Sequence, residues 1–239
     1  MTSTTIAALI TDATSWPRSW RTEVLLIGFP LKNDPGQFVA TDAEALCLRY
    51  QVIGRENIPA TPSVILSKHQ SAWETMVLQD YTWGAYCVFV LKKELLRVPL
   101  VGWGLAAMKM ISIDRAAGKD ALDQVVTQGR ERLKQGYYVI IFPEGTRVAP
   151  GQTKRYKPGG AYLATHVGCK VVPVAHDAGE YWPRQAFLKK AGTVTVSIGP
   201  AFDATGMSEA EVNKKAEAWI ESEMRRISPH RYPDAASRS

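Results

Sequence analysis

Cysteine is scarce here: Cys47, Cys87 and Cys169 are the only three in 239 residues, widely separated and each within or beside an apolar run. Without C-x-x-C spacing the chain offers no structural zinc signature, and the pattern is that of reduced core thiols in a reducing compartment. No apolar run approaches the ~20 residues that a membrane-spanning helix requires. The best candidate, residues 24–31, is short and contains Gly28 and Pro30. The N-terminus shows no basic segment ahead of an apolar core, so a cleaved secretory signal is not expected. Absence of G-x-S-x-G and of a P-loop removes the usual marks of serine hydrolases and nucleotide hydrolases. The lysines and arginines form no aromatic-interleaved stripe, so no nucleic-acid partner is expected.

What the chain does have is enough apolar content for one substantial core, 46% hydrophobic against 22% charged residues. Its net charge of +6 and pI near 9.2 favour an anionic partner, such as a phosphate-bearing substrate or an anionic membrane surface. From residue 47 onward, short β-rich runs alternate with amphipathic segments, the pattern of an α/β domain. The runs at 46–53, 63–67, 86–91, 109–113, 138–142, 170–174 and 194–198 predict a mainly parallel, roughly seven-stranded mixed sheet flanked by helices. Ala121, Leu122, Val125, Val126, Gly129 and Leu133 recur at helical spacing, with Gly136 as the C′ stop. Ser208 and Glu211 form a capping box that opens a last helix through Val212, Ala216, Trp219, Ile220 and Met224. Residues 1–45 read as an atypical arm without a transmembrane helix, 46–228 as the main domain and 229–239 as a polar tail.

Two segments stand at the ends of predicted buried strands. The first is His69-Gln70-Ser71-Ala72-Trp73-Glu74. Within one regular helix His69 and Glu74 would be ~7.5 Å apart along the axis and rotated by ~140°, so they would not meet. The histidine therefore belongs in the turn before a helix, the acid in that helix's first turns, with Ser71 as the N-cap candidate. A histidine near neutral pKa can take a proton from an attacking alcohol while a carboxylate fixes its tautomer. Amides near Ser71 could then stabilise an oxyanion.

The second segment, Phe142-Pro143-Glu144-Gly145-Thr146-Arg147, flanks a glycine with charge. Gly145 permits close backbone approach, and Arg147 offers a planar fork suited to phosphate. Lys157, before Pro158-Gly159-Gly160 and a further helical run, adds to this candidate anion site. If the two strands are parallel neighbours, both segments open onto one crevice, where open α/β sheets bind ligands.

With these residues in view, the chain resembles the glycerolipid acyltransferases that include 1-acylglycerol-3-phosphate acyltransferases. An H-x4-D box corresponds to His69 through Glu74, a second block to Ile113-Asp114-Arg115, F-P-E-G-T-R to Phe142 through Arg147, and a fourth to Val172-Pro173-Val174. The resemblance covers about 46–227. It implies acyl transfer from acyl-CoA or acyl carrier protein to the sn-2 hydroxyl of 1-acylglycerol 3-phosphate (lysophosphatidic acid), giving phosphatidic acid. It also implies His69 as general base and Glu74 in place of the usual aspartate. Glu144, Gly145 and Arg147 are then acceptor-binding residues, with Arg115 and Lys92, the last preferred over its neighbour Lys93, and Thr146 in the same turn and Lys157 from the anion-site reading join them as expected substrate-binding residues. No metal or cofactor is implied beyond the acyl thioester. Family members commonly carry apolar helices before the histidine box, whereas this chain is expected to dock peripherally on the cytoplasmic face of a membrane. Two alternatives stand: another lyso-lipid acceptor such as a lyso-aminolipid, or a noncatalytic lipid or acyl-carrier binding protein.

Other features receive structural assignments. Gly102-Trp103-Gly104-Leu105-Ala106-Ala107 matches a loose G-x-G-x-x-A, but Trp103 would crowd a pyrophosphate, so helix packing is expected. His176-Asp177 is assigned a loop hydrogen bond, His166 a helix end and His230 the tail. Asp114 is read equally as a structural partner of a nearby basic residue.

Overall fold

The computed structural model describes residues 48–78, 86–99, 101–184 and 189–232. The predicted arm at 1–45, Cys47 and the tail beyond Tyr232 lie outside them. The described strands are β1 (Leu48–Ile53), β2 (Val64–Ser67), β3 (Cys87–Lys92), β4 (Ile111–Ile113), β5 (Tyr138–Ile141), β6 (Lys170–His176), β7 (Gly192–Ile198) and β8 (Phe202–Asp203). The helices are α1 (Trp73–Val77), α2 (Val101–Ala107), α3 (Lys119–Lys134), α4 (Gly159–Val167), α5 (Ala178–Tyr181) and α6 (Glu209–Ile227).

The strands form one sheet in the order β1-β7-β6-β2-β5-β3-β4, with β8 also on β6. β6, β2, β5, β3 and β4 run parallel to one another, whereas β7 is antiparallel to β6 and β1 is parallel to β7. β2 and β5 are buried at every position because layers cover both sides of the central sheet, the reason their sequences are continuous apolar runs. β1, at one edge, alternates instead between half-buried Leu48, Tyr50 and Val52 and exposed Arg49, Gln51 and Ile53. Sequence periodicity did not reveal β8. It prolongs β7 along β6 beyond Pro200, which has no N–H for the ladder and interrupts the run.

α3 packs on α4, α4 on α6, and α6 on β6. Ala121, Val125, Gly129 and Leu133 form the buried stripe of α3, with Leu122 and Val126 half-buried beside it. The helix ends as its sequence predicts. Gly136 adopts φ 90°, its N–H donates to the Leu133 carbonyl, and the Tyr137 N–H donates to the Arg132 carbonyl. In α6 the capping box is formed in full, and Val212, Ala216, Ile220 and Met224 face the core. Burial pushes the thiols of Cys87 and Cys169 up to about 12 and about 11. Among the described residues no helix is long and apolar enough to cross a membrane.

This topology decides what can meet. The C-terminal ends of five parallel strands share one edge of the sheet. They deliver Lys68-His69 from β2, Phe142 to Arg147 from β5, Lys92-Lys93 from β3, Asp114-Arg115 from β4 and His176 from β6.

Candidate active site

β2 and β5 are direct neighbours, with Leu66 opposite Ile141, so the two motif segments leave the sheet side by side. They are stitched together at once. The Val148 N–H donates to the His69 carbonyl (2.8 Å), and the His69 N–H donates to Glu144 Oε2 (2.7 Å). The His69 ring stacks on Phe142, centroids 4.0 Å apart and planes 13° from parallel, and Phe142 stacks in turn on Phe89.

His69 sits in the turn before α1, and Glu74 is the second residue of that helix. Glu74 Oε1 lies 2.7 Å from His69 Nδ1 and also accepts the Gln70 and Ser71 N–H groups, both at 2.9 Å. Its Oε2 accepts from Ser71 as well. The Trp73 N–H donates to Ser71 Oγ. Ser71 and Glu74 thus form half of a capping box around the histidine, the Glu74 carboxylate taking the Ser71 amide while the Ser71 hydroxyl takes the amide two residues on. Burial works against the Glu74 charge, but the neighbouring His176, the His69 hydrogen bond and the Ser71 amide outweigh it and hold the carboxyl below the usual range. With Nδ1 held from inside and the side chain 15% exposed, Nε2 is the nitrogen left for chemistry.

This arrangement takes the Ser71 amide and three of its neighbours out of the oxyanion role expected of that turn. The amides of Gln70 and Ser71 point at Glu74, that of His69 at Glu144 and that of Trp73 at Ser71 Oγ, so each is occupied.

The turn after β5 gathers cations. Gly145 adopts φ 68°, and the Lys157 side chain lies against its open face, with Cδ, Cε and Nζ all 2.9 Å from where a Cβ would stand. The Arg115 guanidinium donates to the Gly145 carbonyl (3.1 Å). The Lys157 N–H donates to the Pro143 carbonyl, tying the start of α4 to the same turn. Thr146 and Arg147 are half-buried beside them, and Arg147 makes no hydrogen bond or ion pair among the described residues. Lys93 forms an ion pair with Asp114, which also accepts the Ala116 N–H; the Lys93 hydrogen bond holds Asp114 below the usual carboxyl range. That pairing commits Asp114 to structure and leaves Lys92, exposed at the end of β3, as the free lysine of the two.

Glu144 differs from its neighbours in the turn. Its side chain is fully buried and faces inward, 2.8 Å from Lys68 Nζ, which is itself fully buried and 2.8 Å from Glu221 of α6. The carboxylate is committed to Lys68 and the His69 amide rather than turned toward the crevice. Sequence reading missed Lys68 and Glu221 as site residues. The signal was a lysine ending a run that had to be buried, which demands acidic partners.

His176 lies behind the dyad, fully buried. Its Nδ1 accepts the Ala178 N–H, so Nε2 carries the proton and donates to the Lys68 carbonyl (2.8 Å); burial keeps the ring below its ordinary pKa. Asp177 accepts the Thr195 N–H, His166 lies tilted against Tyr162 at the end of α4, and His230 pairs with Glu180. Gly102 packs where a Cβ would meet the Leu96 carbonyl oxygen at 2.1 Å, consistent with helix packing. No group of three or more potential metal-ligating side chains occurs among the described residues.

Comparison with known proteins bears on what this geometry serves. Residues 49–177 match the Acyltransferase family model. A 1-acyl-sn-glycerol-3-phosphate acyltransferase of Pseudomonas aeruginosa is 50% identical over 185 residues, covering 76% of this chain and 71% of that protein. The human 1-acyl-sn-glycerol-3-phosphate acyltransferase beta is 30% identical over 179 residues, covering 74% of this chain and 64% of its own. The crystal structure of the 1-acyl-sn-glycerophosphate (LPA) acyltransferase PlsC from Thermotoga maritima shares the fold, with a TM-score of 0.65 at 24% identity over 92% of this chain and 88% of that one. A histidine–carboxylate pair beside a cationic turn is therefore found within a family whose chemistry is acyl transfer, and this chain belongs to that acyltransferase family.

Proposed function

We propose that the protein transfers an acyl group from a thioester, on coenzyme A or acyl carrier protein, to the sn-2 hydroxyl of 1-acylglycerol 3-phosphate, giving phosphatidic acid. The observation that carries this reading is the buried Glu74 carboxylate 2.7 Å from His69 Nδ1, on a strand end stitched to the cationic turn at Gly145. His69 Nε2 takes the hydroxyl proton as the oxygen attacks the thioester carbonyl, and Glu74 stabilises the imidazolium that forms. The tetrahedral intermediate collapses by breaking the C–S bond, and the imidazolium returns its proton to the departing thiolate. No covalent acyl-enzyme and no metal enter this sequence.

Arg147, with Lys92, Lys157 and Arg115, binds the acceptor phosphate, while Gly145 and Thr146 shape the turn that carries them. Glu144 contributes from behind by holding the His69 amide. The basic character of the chain suits an acceptor resident in an anionic membrane, on whose cytoplasmic face the protein docks peripherally.

A thiol-release assay on purified protein with acyl-CoA tests the proposal. Release should depend on 1-acylglycerol 3-phosphate and should be far slower with a lyso-lipid acceptor that lacks the terminal phosphate. Equal rates with both acceptors would overturn the assignment of the turn as a phosphate site. Binding of the lyso-lipid with no thiol release from either donor would overturn the enzymatic reading.

A further inference from the structure

We infer that Lys68 and Glu221 are positioning residues for His69, so that the last helix of the fold, α6, sets the geometry of the base through a buried relay of charges. This inference rests on the reading of His69 as the base.

Lys68 directly precedes His69 and has no exposed surface. Its Nζ lies 2.8 Å from Glu144 Oε1 and 2.8 Å from Glu221 Oε1, and donates to the Gln152 carbonyl at 3.3 Å. Tyr156 donates its hydroxyl to the same Glu221 oxygen. A cross-link needed only for stability is served as well by apolar packing, because taking an ammonium and carboxylates out of water is costly.

What the charge accomplishes is directional. With Oε1 held on the ammonium, Glu144 turns Oε2 onto the His69 N–H at 2.7 Å. The His69 carbonyl is held from the other side by Val148, so the base is fixed at both its backbone groups. Burial works against both charges: at Lys68 the two glutamates outweigh it and the ammonium persists, whereas at Glu144 burial still raises the carboxyl above the usual range, so the 2.8 Å contact with Nζ carries the relay. The chain of contacts therefore runs from α6 through Glu221, Lys68 and Glu144 to the backbone of His69. It joins residues 153 positions apart in sequence.

Displacing a catalytic group by about 1 Å costs on the order of 100-fold in rate, so partial release of the His69 amide should cost about tenfold. Glu221, 14% exposed, is the member of the relay that tolerates change most readily. Glu221→Leu should lower kcat about tenfold with the KM for 1-acylglycerol 3-phosphate unchanged. Glu221→Gln keeps an oxygen for Lys68 Nζ and should restore kcat to near wild type. Lys68→Met should lower kcat at least as far, and Glu221→Leu should add nothing to it.

Each variant is also followed by thermal unfolding and by the NMR resonance of the His69 Nδ1 proton, assigned by its loss in His69→Ala. The relay predicts that this resonance shifts in Glu221→Leu and not in Glu221→Gln. Glu221→Leu that unfolds at lower temperature yet keeps both wild-type kcat and the wild-type resonance would reduce the contact to a structural cross-link and overturn the inference. Wild-type protein without turnover would sink the base assignment instead, and the resonance would still decide whether α6 governs His69.

Discussion

Glu74 grips His69 from inside the protein. Its Oε1 approaches Nδ1 to 2.7 Å, while the same carboxylate takes the amides of Gln70 and Ser71 and has no exposed surface. Because three donors converge on one carboxylate, its position is fixed before any substrate arrives. Glu74→Gln should therefore keep the fold and lower kcat on the order of 100- to 10,000-fold, since an amide can present its NH2 to Nδ1 and select the wrong tautomer. Glu74→Asp withdraws the carboxylate by about 1.5 Å, the length of one C–C bond, so it cannot serve the amides and Nδ1 together. A fall in kcat of about 10- to 100-fold is expected. Steady-state rates beside circular dichroism check both, and full activity in Glu74→Gln would remove the carboxylate from the mechanism.

The same carboxylate makes folding sensitive to acid. Its pKa in the folded state lies below the ordinary value of 4.5, so between the two values the folded protein holds fewer protons than the unfolded chain. The stabilisation it contributes is present above about pH 4.5 and is lost as pH falls through the lower, folded value. Urea unfolding followed from pH 6 to pH 3 should show a shallower acid loss for Glu74→Gln than for wild type. Parallel curves would rule out the Glu74 contribution.

Gly145 joins backbone conformation to charge placement. At φ 68° an alanine costs about 1–2 kcal/mol, and its Cβ would displace the Lys157 side chain that lies 2.9 Å from that point. The obstruction is the flexible end of a lysine, so the domain should still fold. Gly145→Ala is expected to raise the KM for the phosphorylated acceptor about tenfold with a smaller change in kcat, and Arg147→Ala to do the same. Kinetics at varied acceptor concentration check this; an unchanged KM in both variants would move the phosphate elsewhere.

How much of this was legible in the sequence depended on the range of the forces involved. β2, β5 and the α6 capping box were readable because burial and local hydrogen bonds leave short-range patterns, an apolar run or a serine three residues before a glutamate. Placement of His69 outside α1 followed from helix geometry alone. The antiparallel direction of β7 was not readable, since it depends on pairing with β6 and not on the composition of β7 itself. Lys68, ending a buried run, signals a need for acidic partners but not which ones, because Glu144 and Glu221 reach it only through the tertiary fold. The Ser71 amide looks available in the sequence only if Glu74 serves the histidine alone. The Ser71-x-x-Glu74 spacing of a capping box is the sequence sign that this amide is taken.

Asp177 supplies a pH dependence of the opposite sign. Burial raises its carboxyl to about 6 from the ordinary 3.8, with Glu180 adding to the shift and the Thr195 amide and His230 opposing it. A group raised on folding contributes stability that is fully present below pH 3.8 and lost as pH climbs through about 6, because folding then requires a buried charge that the unfolded chain leaves in water. Asp177→Asn keeps an oxygen for the Thr195 N–H and removes that charge. At pH 7.5 the variant should be more stable than wild type by about 1–2 kcal/mol, and at pH 4 the two should nearly coincide. Denaturant titrations at the two pH values measure the difference directly. A variant less stable than wild type at pH 7.5 would mean that the charged carboxylate, through Thr195 and His230, stabilises the join between α5 and β7 after all.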